Sequence, residues 1–393
     1  MSLINTYYIN MVINDLFIIL TGLYPSWIFQ AMKKCFKSIW FYSGLITLIF
    51  VIIISGGQYS DFELDDHASV ITPISFVSKT DTLSGTLILP DQNNIKAVAI
   101  FIHGDGAQDR FSNSGYLPLV NSLLDAGIGV YTWDKAGVGE SQGNWLLQSM
   151  HDRADEAQIA LQLIQKKFIH TDIKVGYLGF SQAGWVIPIA ATQSKPDFSV
   201  IIGGAVNWRA QGAYYHQVRL KADDVDDKEI TRRVSEQLQQ NDRVFGINGS
   251  HDISAQGDMS DDRFYFVIQN YLSDSSKDLP HMNGRVLALF GELDLNVDAS
   301  KNACLYKTLL GKHVDKTVAL FPNASHSLLK APFFNYQLEN QWPWWKQMLF
   351  IYQGRDSYFS GALNYLTAWI TEDVAIPSDY VDFKCETDNT SLR

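Results

Sequence analysis

VGYLGFSQAGW (residues 175–185) passes from a β-rich apolar run to a helix-prone one through Ser181, set between Gly179 and the pair Ala183–Gly184. A strand that becomes a helix within one step needs small neighbours, because larger side chains would clash with the returning backbone. The spacing is G-x-S-x-A-G rather than G-x-S-x-G. Alanine adds one methyl group, and the turn is expected to tolerate it. Such a turn lifts the serine Oγ above the sheet, and the N-terminus of the following helix favours developing negative charge.

The alternation extends to either side. AVAIFIHGDG (97–106) is a continuous apolar run ending in glycines, as a buried parallel strand does. SGTLILP (84–90), IGVYTWD (128–134), FSVIIGGA (198–205), RVLALFGELD (285–294) and KTVALF (316–321) read as further strands. YLPLVNSLLDAG (116–127) and ADEAQIALQLIQKKF (154–168) have helical spacing, the second with acids early and lysines late to suit the helix dipole. This predicts an α/β fold, a mostly parallel central sheet flanked by helices, over 70–205 and 284–393. Between 206 and 283 the pattern gives way to charged sequence such as KADDVDDKEITRRVSEQLQQ (221–240), read as a helical cap or lid insertion. Trp208, Tyr214 and Tyr215 either line a pocket or pack the cap on the core. The acidic cluster reads as a solubilising helix face. The tail, 331–393, is tryptophan-rich and holds one predicted final helix, YFSGALNYLTAWI (358–370).

A serine hydroxyl is a weak nucleophile until a base takes its proton. Of nine histidines, His326 in FPNASHSLL alone directly follows a late apolar strand. His313 and His281 read as surface residues. The imidazole needs a carboxylate to orient it and to stabilise its charged form. Asp294, a short turn past its strand, is the candidate, with Glu292 and Asp298 as rivals. Glu292 would point the other way, and Asp298 reads as the start of the next helix. Backbone N–H groups of Asp105, in HGDG, and of Gln182 are the expected oxyanion hole, each donor worth about 3 kcal/mol. The Asp105 charge is unhelpful there unless it points away. His103 reads as a structural residue bonding its loop.

Composition narrows the function further. A formal net charge of −11, from 31 basic and 42 acidic residues, argues against a nucleic-acid partner. The three cysteines include no C-x-x-C, which excludes zinc-finger spacing and a dense disulfide framework. Cys304 and Cys385 either pair in an oxidising compartment or stay as buried thiols. Neither H-E-x-x-H nor a dinucleotide fingerprint occurs, and DKAGVGES (134–141) lacks the lysine placement of a phosphate loop, so no metal or cofactor is expected.

MKKCFKSIWFYSGLITLIFVIIISGGQYS (32–60) reads as a targeting signal: Lys33, Lys34 and Lys37, an uncharged apolar stretch over 39–54, then Ser55, Gly56 and Gly57. A cleaved signal peptide and a retained transmembrane helix both fit, and both put the lysines in the cytoplasm and the rest across the membrane. Residues 1–31 are a mis-assigned start upstream of Met32 or the first arm of a membrane hairpin. Residues 1–57 are therefore expected to be a targeting or anchor region, and the protein exported or membrane-anchored, facing the periplasm or exterior.

The stretches GTLILP, IHGDGAQDR, YTWDKAGVGES, GFSQAG, GELD and ASH resemble the α/β-hydrolase superfamily, in particular bacterial carboxylesterase-type and acyl-CoA thioesterase-related members. The resemblance covers about 83–330, with Ala183 and Ala136 standing where such members usually have glycine and arginine. It implies a catalytic triad in the order Ser181, Asp294, His326 and a serine hydrolase that cleaves small carboxylic esters through an acyl-enzyme. The alternatives are a thioester or peptide hydrolase with the same triad, a non-catalytic membrane-tethered binding protein, and an integral membrane protein whose soluble part is secondary.

Overall fold

A computed structural model of the protein describes residues 59–64, 70–90, 95–247, 256–311, 315–372 and 383–385, with isolated positions at 42–45, 47, 252, 254, 380 and 381. The chain divides into two units, Met1–Gly57 and Gln58–Arg393. In the first, residues 42–45 and 47 are helical and exposed, and the rest of the expected targeting segment lies outside the described residues. Among the described residues, no helix is long and apolar enough to cross a membrane.

The second unit opens with β1 (Val70–Pro73), β2 (Phe76–Ser78), β3 (Asp81–Leu83) and β4 (Gly85–Leu89). Then β5 (Ala97–Ile102), α1 (Leu117–Asp125), β6 (Ile128–Trp133), α2 (Met150–Lys167), β7 (Lys174–Phe180), α3 (Ala183–Gln193) and β8 (Phe198–Ile202) alternate. Three helices follow, α4 (Trp208–Ala222), α5 (Asp227–Phe245) and α6 (Asp261–Asn270). The chain continues through β9 (Arg285–Gly291), α7 (Ala299–Leu309), β10 (Lys316–Phe321), α8 (Ala331–Phe334), α9 (Trp344–Gln353) and α10 (Ala362–Thr371).

Eight strands form one sheet in the order β1-β4-β6-β5-β7-β8-β9-β10. The pairs made by β4 are antiparallel and the rest are parallel. The predicted mostly parallel sheet flanked by helices is present. The hairpin β2–β3 and the outer strand β1 were not legible, being short and lacking a continuous apolar run. Along β5 all six residues are buried: Val98, Ile100 and Ile102 pack on one face with α2 and α3, while Ala99 and Phe101 pack on the other with α1 and α10. A strand covered on both faces loses its polar alternation, which is why these strands read as unbroken apolar runs.

Helix α2 begins at Met150, four residues ahead of the apolar pattern that marks it in the sequence. The cause is a capping box: Ser149 Oγ accepts from the Asp152 N–H, and the Asp152 carboxylate accepts from the Ser149 N–H at 2.8 Å. This added turn carries Arg153 into the protein, where it is 5% exposed. In the 206–283 segment, Asp226 of the acidic cluster caps α5 by accepting from the N–H groups of Lys228 and Glu229. Helix α9, which holds the tryptophan-rich stretch, was not anticipated as a helix. Cys304 of α7 is joined to Cys385 by a disulfide with its Cα atoms 5.5 Å apart.

Candidate active site

The candidate residues all stand on loops leaving the C-terminal ends of parallel strands, where open α/β sheets bind their ligands. Ser181 follows β7 immediately and takes φ = 51°, a left-handed conformation that a non-glycine residue adopts only where its surroundings hold it. Its own N–H is anchored on Ile202 O at 2.8 Å, and its carbonyl receives the Gly184 N–H at 2.9 Å. A Cβ at Gly179 would come within 2.5 Å of the Ala183 methyl and 2.8 Å of Ile187 Cδ1. The bare Gly179 therefore makes the room that Ala183 fills, and the alanine fits the turn.

Asp294 lies three residues past β9 and is 1% exposed. One carboxylate oxygen accepts from the N–H groups of Asn296 (2.7 Å) and Val297 (2.9 Å), leaving the other to meet His326 Nδ1 at 2.6 Å. The Asp294 carbonyl accepts from Tyr214 Oη at 2.7 Å. Neither rival competes: Glu292 is exposed, and Asp298 caps α7 through the Lys301 N–H. Burial works against the charged form of His326. The Asp294 carboxylate more than offsets it and holds the imidazole above its ordinary pKa of 6.5. Room for the ring is made at Gly203, where φ is +62° and a Cβ would stand 2.9 Å from His326 Cε1. Ser181 Oγ hydrogen-bonds to no described group; unliganded catalytic contacts commonly tighten only with substrate.

Asp105 and Gln182 line, with Ser181, a cavity of about 80 Å³. Trp185, Trp208 and Val297 form apolar parts of its wall, and the two indoles stack with centroids 4.8 Å apart. Neither the Asp105 nor the Gln182 backbone N–H donates to another described group. The Asp105 carboxylate accepts from Gln182 Nε2 at 3.1 Å and from Arg263 of α6 at 3.1 Å. Burial would raise its pKa, but Arg263 prevails and holds it below the usual carboxylate value. His103 is fully buried and donates from Nε2 to Trp133 O at 2.5 Å. Burial pushes its pKa down to about 3, so it stays neutral and holds the loop, as its position in the sequence implied. Of the aromatic residues after β8, Trp208 lines the cavity, Tyr214 supports Asp294, and Tyr215 receives Gln337 on its carbonyl.

Sequence reasoning missed Gly203, Lys135, Arg153 and Arg263. The first carries a weak signal, a glycine pair at a strand end. The cations carry none, since each sits in polar sequence and is drawn to the site only by the fold. Among the described residues no group of three or more His, Cys, Asp or Glu side chains is arranged to hold a metal.

This is an α/β-hydrolase fold with a serine at its strand-to-helix turn. Residues 93–332 match the family described as Serine aminopeptidase, S33, and the chain belongs to that family of serine hydrolases. Solved structures similar to it include an esterase of Pyrococcus furiosus, at 12% identity and TM-score 0.48 over 75% of this chain and 92% of that one. Ferulic acid-bound Est1E of Butyrivibrio proteoclasticus aligns at 13% identity and TM-score 0.47 over 76% and 96% of the two chains. An acylaminoacyl peptidase of Pyrococcus horikoshii aligns at 15% identity and TM-score 0.44 over 65% and 37%. No curated protein sequence matches the chain.

Proposed function

We propose that the protein cleaves small carboxylic esters through an acyl-enzyme. Ser181 Oγ attacks the carbonyl carbon while His326 Nε2 takes its proton. The tetrahedral oxyanion receives hydrogen bonds from the Asp105 and Gln182 N–H groups, and His326 returns the proton to the departing alcohol. Water then adds to the acyl-enzyme by the same proton route and releases the acid. Asp294 keeps the Nδ1 proton of His326 in place throughout. The observation that carries this reading is the bond between buried Asp294 and half-buried His326 at 2.6 Å, with Ser181 held at φ = 51° and lining the cavity. Such an arrangement has no use in a binding protein.

The family's description supports a peptide bond as the second reading. An aminopeptidase needs a partner for the substrate ammonium. Asp105, the carboxylate lining the cavity, is instead committed to Arg263 and Gln182, which favours the ester. The α4–α6 segment serves in this reading as a lid, with α4 supplying Trp208 to the cavity wall. The protein is exported or anchored by residues 39–54, and the Cys304–Cys385 disulfide supports an oxidising compartment.

The full chain treated with a fluorophosphonate should be labelled on one serine, and Ser181→Ala should abolish the label and lower kcat by about 10⁶-fold. A folded wild-type protein that takes no label rules the reading out. Matched p-nitrophenyl esters and aminoacyl anilides then separate the two bond types.

A further inference from the structure

Burying a cation costs several kcal/mol unless hydrogen bonds replace its lost hydration. Lys135 and Arg153 are 2% and 5% exposed, and both spend their hydrogen bonds on the same short loop and its neighbour. Lys135, just past β6, donates from Nζ to Gly104 O at 3.0 Å and to Gly106 O at 2.9 Å. Arg153, one turn into α2, donates from one arm to His103 O at 2.5 Å and from the other to Gln182 Oε1. Gln182 Nε2 in turn reaches the Asp105 carboxylate. Three successive bonds thus run from His103 O through Arg153 and Gln182 to the Asp105 carboxylate, tying the loop to the residue after Ser181.

The geometry of the peptide unit gives these contacts a consequence. A trans peptide directs its C=O and N–H to opposite sides, and the chain contains no cis bond among the described residues. Gly104 O and the Asp105 N–H belong to one peptide unit. Holding Gly104 O on the Lys135 side therefore turns the Asp105 N–H to the other side. The loop passes close to the nucleophile: a Cβ on Gly104 would stand 3.6 Å from Ser181 Cβ. Burial pushes the Lys135 pKa well below 10.5, helped by the Arg153 charge. An uncharged amine still has two N–H donors, and the two carbonyls require two.

We propose that Lys135 and Arg153 are the positioning residues of the oxyanion hole, Lys135 aiming the Asp105 N–H and Arg153 tying that loop to Gln182. This rests on the assignment of the Asp105 and Gln182 N–H groups to the oxyanion. A hydrogen bond weakens steeply when its donor is misaimed, so Lys135 and Arg153 act on the transition state rather than on substrate binding.

The test compares the full-length wild type with Lys135→Met and Arg153→Lys. Active sites are counted by fluorophosphonate, and kcat and KM are measured on a p-nitrophenyl ester. Affinity for butylboronic acid, which becomes tetrahedral on the serine, is measured beside them. Lys135→Met should lower kcat per labelled site about 10²-fold with KM within threefold, and weaken the boronate in step. Arg153→Lys keeps the charge but loses the two-armed reach, and should cost about tenfold in kcat. It also serves if Lys135→Met does not fold. Fewer labelled sites with kcat per site within twofold of wild type would mean a purely structural role and overturn the proposal, as would an effect confined to KM. Absence of labelling in the wild type is a separate failure, that of the reading beneath it.

Discussion

The turn at Ser181 and the loop from His103 to Gly106 face the same cavity, yet they are held in different ways. The turn is held mostly by its own neighbours, a left-handed serine, a bare Gly179 and the Ala183 methyl seated against it, with a single outside tie from the Ser181 N–H to Ile202 O. The loop is held from outside, by Lys135 some thirty residues on, Arg153 some fifty residues on and Arg263 from the α4–α6 segment. Local sterics go far towards placing the proposed nucleophile, because one conformation of one residue decides where Oγ points. An oxyanion donor is a backbone group, which cannot choose its own direction and must be oriented by what binds the carbonyl in the same peptide.

The contrast can be broken at either end. Asp294→Asn leaves both the turn and the loop intact but removes what orients His326, the proposed base, and kcat should fall by about 10⁴-fold. Its pH profile carries a second signature. His326 must be neutral to accept a proton, and the Asp294 charge keeps it protonated to a higher pH than usual. The acid limb of kcat/KM should therefore lie above pH 6.5 in the wild type. It should move below 6.5 in Asp294→Asn, where burial alone remains to act.

Cys304→Ser tests a constraint remote from both regions. Opening a bridge that spans 81 residues should lower stability by about 2–4 kcal/mol in thermal unfolding, with kcat of the folded protein unchanged. Gly203→Ala tests a contact between distant segments, the space for the His326 ring. It puts a methyl against the His326 ring at a positive φ, and should cost about 1–3 kcal/mol in stability, with a fall of tenfold or more in kcat. Arg263→Ala sharpens the comparison from the exposed side of the loop. That ion pair is open to solvent, so stability should change by less than about 1 kcal/mol and kcat by only a few-fold. A large loss there would shift the support of the loop from the buried cations to the α4–α6 segment.

Much of this was written in consecutive residues. The strands of the central sheet announce themselves because both faces are buried, and the serine turn because glycine and alanine must sit beside it. His326 and Asp294, proposed as base and orienting carboxylate, were legible as polar residues directly past late strands. What could not be read lay where the pattern is short or the partner distant. The strands β1 to β3 are too brief to show a period, and α2 starts at a cap ahead of its apolar pattern. In α9 a tryptophan-rich helix buries none of its residues, so no core-facing stripe marks it.

Sequence alone determined the α/β alternation, the serine turn and the chain order of Ser181, Asp294 and His326, because these follow from periodicity and from the sterics of adjacent residues. Only the tertiary structure decided that Lys135 and Arg153 lie beneath the His103–Gly106 loop, that Asp105 turns its charge toward Arg263, and that Gly203 clears the space for His326. Those are contacts between segments tens of residues apart or more, and the order of strands in the sheet, which no local pattern encodes, is what brings them together.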